Sequence, residues 1–169
     1  MLKPQIHSDH EAVSQRAEAW LAERLHARPD ALLCLATGAT PMRTYQGLAA
    51  RGAADPSLFD RVRLLKLDEW GGMPMNSPAT CEQHLRTTLV TPLNLADRYV
   101  AFDSQAADPH AECARVAQWL EQNGPIDVSV LGLGVNGHVG FNEPAEQLEA
   151  HAHVARLSAA SLSHAMLRD

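Results

Sequence analysis

Apolar positions along the chain switch between two spacings, and the switching sets an order of elements. Val13, Ala17, Trp20 and Leu25 recur at helical intervals behind Ser8 and Glu11, whose separation fits a capping box. A helix is therefore predicted from about residue 9 to 27, stopped before Pro29. "ALLCLAT" (31–37) is a nearly continuous apolar run followed by Gly38, the pattern of a buried strand. Thr40-Pro41 reads as an N-cap followed by proline at the first helical position, opening a helix to about Ala50. "VRLLKL" (62–67) predicts a second strand with Asp68 and Glu69 at its carboxyl end. "GGMPMNSP" is a loop, and its Ser77-Pro78 starts a predicted helix through Leu89. Asp108-Pro109 opens an amphipathic helix with Cys113, Val116, Ala117 and Leu120 on one face, ending at Asn123-Gly124. "IDVSVLGL" (126–133) predicts a third strand and "HVARL" (153–157) a fourth.

Strands alternating with helices imply an α/β fold: a parallel sheet covered by helices on both faces. No repeat, low-complexity tract or linker divides residues 1–169, so one α/β domain is expected. Open sheets of this kind bind ligands beyond the carboxyl ends of their strands. Three such ends carry polar, glycine-rich or acidic sequence: "ATGATP", "LDEWGG" and "GLGVNGHVGFNEP".

Charge narrows the partners. With 14 Lys and Arg against 20 Asp and Glu, and no basic run, a nucleic-acid surface is excluded. A small anion is not, because a few local donors outweigh a distant field. No apolar run approaches the roughly 20 residues of a membrane span, and the first residues lack the apolar stretch of a signal peptide. Cys34, Cys81 and Cys113 are odd in number and form no C-x-x-C pair. They are expected to be reduced thiols in a cytoplasmic protein, with no disulfide and no metal site.

"ATGATP" is strand, turn and helix start, where unpaired N–H groups and the helix dipole favour an anion. The hydroxyls of Thr37 and Thr40 add donors, and the absence of G-K-[ST] excludes a nucleotide P-loop. In "KLDEW", side chains alternate, so Asp68 and Glu69 should point to opposite sides, one facing the crevice and one anchoring structure. Gly132, Gly134 and Gly137 have the spacing G-x-G-x-x-G, but Gly140, Asn142 and Pro144 follow too closely for a helix. No carboxylate lies at the position a dinucleotide ribose needs, so the spacing is not a dinucleotide fingerprint. The glycines, Gly134 and Gly137 among them, instead let a loop carry His138, Asn136, Asn142 and Glu143 over a substrate. A histidine with a nearby carboxylate suits proton transfer. His151 and His153 have no further ligand at metal spacing and are read as surface contacts.

"CLATGATP", "KLDEW" and "VLGLGVNGHVGFNEP" resemble the three signature segments of the glucosamine-6-phosphate and galactosamine-6-phosphate deaminases, also called isomerases. The likeness runs from about residue 12 to the end, and "TCE" (80–82) is closer to the galactosamine branch. The resemblance implies a Rossmann-like domain that turns an amino-sugar 6-phosphate into a ketose 6-phosphate and ammonia without a cofactor. It implies that Asp68 is the base between C2 and C1, that His138 assists ring opening with Glu143 as its partner, and that Gly38, Ala39 and Thr40 hold the phosphate. A homo-oligomer is compatible with it.

Many relatives carry Asp where this chain has Asn136, so the amide is expected only to position its neighbours. Relatives also continue through further strands and helices, including a lysine on the phosphate, beyond "SLSHAMLRD"; the sheet is thus expected to be incomplete at its C-terminal end. Two alternatives stand beside the deaminase: a 6-phosphogluconolactonase, against which Trp70 and "VGFNEP" argue, and a non-catalytic sugar-phosphate sensor.

Overall fold

The computed structural model describes residues 3–159 of the chain; the segment "SLSHAMLRD" and the readings attached to it lie outside the described residues. The elements run α1 (His10–Ala27), β1 (Leu32–Leu35), α2 (Ala39–Ala54), β2 (Arg63–Lys66), α3 (Cys81–Leu85), β3 (Tyr99–Val100), α4 (Pro109–Asn123) and β4 (Val128–Val130). The four strands pair in the order β3-β2-β1-β4, and every pairing is parallel. The chain thus builds outward from β1 to β3, then crosses back to place β4 on the other side of β1. That reversal opens a crevice between the ends of β1 and β4, the usual ligand position in such sheets.

Alternating side chains of β1 feed two cores. Leu33 and Leu35, with Leu64 of β2, pack on Leu21 and Leu25 of α1 and Tyr45 and Leu48 of α2. Leu32, Cys34 and Leu65 face Val116, Trp119 and Leu120 of α4. Helices therefore cover both faces, as the unbroken apolar runs required. Each leucine taken fully out of water contributes about 2 kcal/mol. Asp127 staples the other end of the sheet: its Oδ2 accepts from the Leu32 N–H at 2.8 Å and its Oδ1 sits 2.6 Å from Arg28.

Several boundaries differ from those the sequence predicts. The N-cap of α1 is Asp9, whose carboxylate accepts from the Ala12 N–H at 2.8 Å, while the Ser8 hydroxyl donates to Asp9. Helix α2 starts at Ala39, with Gly38 as N-cap and Thr40 inside the first turn, and it runs four residues past Ala50. Gly38 holds φ 101°, a backbone state that favours glycine, so the chain turns there rather than at Thr40. Pro41 is tolerated because first-turn N–H groups have no helical acceptor. Residues 77–80 form a turn, and Thr80 caps the short α3, which widens into a π-turn over Arg86–Val90. The predicted fourth strand at 153–157 is not paired in the sheet among the described residues, and the two-residue β3 takes the edge position beside β2. Residue alternation specifies an extended chain; a strand also needs a neighbour.

Candidate functional site

The N-terminus of α2 differs chemically from the other described long helices. Asp9 and Asp108 cap α1 and α4 with carboxylates, whereas α2 has no side-chain cap and no acid in its first turn. No side chain caps its leading N–H groups, at Ala39 and Thr40, an arrangement chemically suited to an anion. The turn is fixed from below by Tyr45, whose hydroxyl donates to the Ala36 carbonyl at 2.8 Å. It is fixed from the side by His10, whose Nε2 lies 3.0 Å from the Thr40 carbonyl.

Asp68 and Glu69 diverge as strand alternation requires. Glu69 turns inward, its side chain 2% exposed. Its Oε1 accepts from the N–H groups of Trp70 (2.8 Å) and Cys81 (3.0 Å), and its Oε2 from that of Glu82 (2.8 Å). The wholly buried ammonium of Lys66 completes the group, 2.5 Å from Glu69 and 3.2 Å from Glu82. Glu82 in turn bonds Tyr99 and Arg86. A buried lysine persists in this form only because its charge is paired and its protons are used.

Asp68 has different partners: its carboxylate lies beside the Cys81 thiol and Gly140, and it borders a cavity of about 910 Å³ lined also by Glu69, Gly72, Phe102, Asn142, His151 and His153. Burial first, then the neighbouring Glu69 charge, pushes its carboxyl up to about 6. The Cys81 thiol, Lys66 and the Phe141 N–H oppose the rise. A carboxyl in this range is ionised at neutral pH yet basic enough to take a proton from carbon.

The loop after β4 is a closed turn, not a helix. The Gly134 N–H donates to the His138 carbonyl (2.8 Å), and that of Gly137 to the Gly134 carbonyl (2.9 Å). Gly137 has φ 91° and Val139 bridges back to Asn142, so the dinucleotide reading is excluded by the fold as well as by composition. Within the turn Asn136 donates from Nδ2 to Glu143 Oε2 at 2.9 Å, and its Oδ1 lies 2.6 Å from His138 Nδ1. The same oxygen accepts the His138 backbone N–H at 3.1 Å. Two neighbours thus fix the amide: a carboxylate demands the NH2 end and a backbone N–H demands the oxygen. His138 Nδ1 must then carry the proton, leaving Nε2 with the free lone pair. The expected direct pairing of His138 with Glu143 is corrected here, because Asn136 stands between them and relays the carboxylate's influence.

The three segments converge. A β-carbon at Gly132 would lie 4.0 Å from Cβ of Thr40. One at Gly140 would lie 3.1 Å from Asp68 Oδ2, and Phe141 packs on Trp70 with ring centroids 4.1 Å apart. Two Cα steps of about 3.8 Å separate Gly140 from His138, which puts the His138 backbone within about 12 Å of the Asp68 carboxylate. His138 and the Gly38–Thr40 turn lie outside the cavity lining, whereas Asp68 and, from the loop, Phe141 and Asn142 belong to it. Gly134 lies directly against the His138 imidazole, with no room for a side chain between them. Thr37, expected on the phosphate, has its side chain against the Cys81 thiol. Sequence reading missed Cys81 itself, marking it only as a reduced thiol and as part of "TCE"; no local pattern announces a contact thirteen residues away. No cluster able to hold a metal ion occurs among the described residues.

The family described as glucosamine-6-phosphate isomerases/6-phosphogluconolactonase matches residues 8–161. The Escherichia coli (strain K12) protein AgaI, named as a deaminase, is 38% identical over 161 residues, 95% of this chain and 64% of that protein. The glucosamine-6-phosphate deaminase of Streptomyces coelicolor is 38% identical over 146 residues, 84% of this chain and 54% of that enzyme. The chain thus spans less than two thirds of the length of these curated relatives. A solved monomeric glucosamine-6-phosphate deaminase superposes with TM-score 0.89 at 30% identity, over 95% of this chain and 67% of that one. The 6-phosphogluconolactonase of Trypanosoma brucei shares the fold at TM-score 0.68 and 19% identity, over 90% and 75%.

Proposed function

The chain belongs to the family of glucosamine-6-phosphate isomerases and 6-phosphogluconolactonases, and from that premise we propose that it acts as an amino-sugar-6-phosphate deaminase. The substrate is glucosamine-6-phosphate or galactosamine-6-phosphate; with one water it gives a ketose 6-phosphate and ammonia. The resemblance at "TCE" favours the galactosamine epimer.

The phosphate sits on the free N–H groups of Ala39 and Thr40, at the turn made by Gly38. That remote contact orients the reacting carbons. His138, with Nδ1–H held by Asn136 and Glu143 behind it, presents Nε2 for proton transfer between the ring oxygen and the C1 hydroxyl as the pyranose opens. Asp68 takes the proton from C2 and returns it to C1, and water then displaces ammonia from the C2 iminium. The N–H groups of Gly134, Gly137 and His138 are spent in closing the 132–138 turn, so the donors for the developing enol oxygen are the other N–H groups of that turn. No step requires a cofactor. The reduced state of Cys34, Cys81 and Cys113 suits a cytoplasmic setting.

One observation carries this reading: a carboxyl raised to about 6 stands against Gly140 and Phe141 of the loop that holds a tautomer-fixed histidine. The test is incubation with the two amino-sugar phosphates and with 6-phosphogluconolactone. Ammonia release from either amino sugar supports the proposal. Acid release from the lactone above its spontaneous rate, or sugar-phosphate binding without turnover, overturns it.

A further inference from the structure

Cys81 is the first residue of α3, and Glu69 grips it from behind: the Cys81 N–H donates to Glu69 Oε1 at 3.0 Å. Glu69 also holds the next N–H, of Glu82, at 2.8 Å. This double hold turns the Cys81 side chain back toward β2, where its Sγ lies 3.8 Å from Asp68 Oδ1. Cys81 is 1% exposed, so water does not compete for the contact. The thiol also meets the side chain of Thr37, two residues past β1 and next to Gly38. The two adjacent acids are thus joined through one residue, by its backbone to Glu69 and by its side chain to Asp68.

We propose that Cys81 is a positioning residue for Asp68: its thiol, aimed by Glu69, donates to the carboxylate and holds it toward the substrate. The inference deepens the deaminase reading and rests on it for the role of Asp68 as base. A thiol is a weak donor, but it donates only while protonated. Burial, then the charges of Asp68 and Glu69, push the Cys81 thiol well above its ordinary range, so the proton stays on sulfur wherever the enzyme would work. Asp103, Glu112, Glu149, His151 and His153 line the same cavity as Asp68 and are unchanged in every variant compared below. Cys34 on β1 is pushed up to about 11 by burial, and Tyr45 on α2 upward by burial as well. Lys66 at the end of β2 and Glu69 just beyond it are paired at 2.5 Å. Removing the thiol donor therefore changes the proton affinity of Asp68 without changing any neighbouring charge.

The test is the titration of the Asp68 side-chain carboxyl carbon by 13C NMR in the full chain, with the Asp68→Asn spectrum identifying its resonance. Cys81→Val removes the donor while filling the space, and its midpoint is expected to rise, about threefold in proton affinity. Cys81→Ser restores a donor, and its midpoint is expected at or below that of the parent chain. A Val midpoint within about twofold of the parent, or a Ser midpoint as high as that of Val, overturns the proposal. If amide dispersion shows Cys81→Val unfolded, Cys81→Ala takes its place, with the same expected order relative to Ser. The readout needs no turnover, so a chain that releases no ammonia refutes the deaminase reading while this coupling is still decided.

Discussion

His138 Nδ1 lies 2.6 Å from the amide oxygen of Asn136, and the same amide donates to Glu143. An amide cannot exchange a proton with the ring, so this contact fixes a tautomer and an orientation and nothing else. Asn136→Leu removes both bonds and frees the ring to rotate. We expect kcat to fall about 10- to 100-fold with KM for the phosphate ester little changed. Steady-state kinetics, together with loss of the low-field Nδ1–H proton signal, check this.

A base whose carboxyl sits at about 6 sets the acid side of the pH profile. Asp68 must be ionised to accept the C2 proton, so kcat/KM is expected to hold above pH 6 and to fall about tenfold per unit below it. Asp68→Asn is expected to abolish turnover yet keep inorganic phosphate and sugar-phosphate binding, because the α2 N-terminus is untouched. An active Asp68→Asn variant removes the assigned base.

The same raised carboxyl has a sign for stability. Its folded value, about 6, exceeds the ordinary 3.8, so the native state binds more protons between those limits. The cost of burying the ionised form is present in full above pH 6 and disappears as the pH falls through 6 toward 4. Asp68→Asn is therefore expected to be more stable than the parent by about 3 kcal/mol at pH 8 and equal to it near pH 3.5. Urea unfolding at the two pH values measures the difference.

Gly134 leaves no room for a β-carbon, because one there would overlap the His138 ring. Gly134→Ala pushes the imidazole off Asn136, and at least about a tenfold loss of kcat is expected. The turn lies outside both buried cores, so the thermal midpoint should move by no more than about 2 °C.

Lys66 is a structural cation at the back of the site. Lys66→Met leaves Glu69 and Glu82 buried with one positive partner fewer, and a loss of about 3 kcal/mol in urea unfolding is expected. Through Glu69 the change also slackens the hold on Cys81.

The likeness of the three signature segments to one family was legible in the sequence because each is a contiguous run. The alternation of core faces along β1 and the extent of α4 from Pro109 to Asn123 were also legible, since both depend on local spacing alone. The divergence of Asp68 from Glu69 was readable for the same reason. What failed was whatever depends on a partner elsewhere in the chain. Residues 153–157 carry strand-like sequence but pair with no strand among the described residues, while Tyr99–Val100 is too short to announce itself and still completes an edge.

By itself, then, the sequence determined a parallel α/β sheet, its two apolar faces, and the presence of an acid, a histidine and an anion-ready turn at strand ends. Tertiary structure decided which atoms meet: Asn136 between His138 and Glu143, Gly140 against Asp68, and Cys81 between the two acids. The division is physical. Burial of a face follows from the period of the residues in it, whereas a bond across thirteen or seventy positions follows from the path of every loop between them.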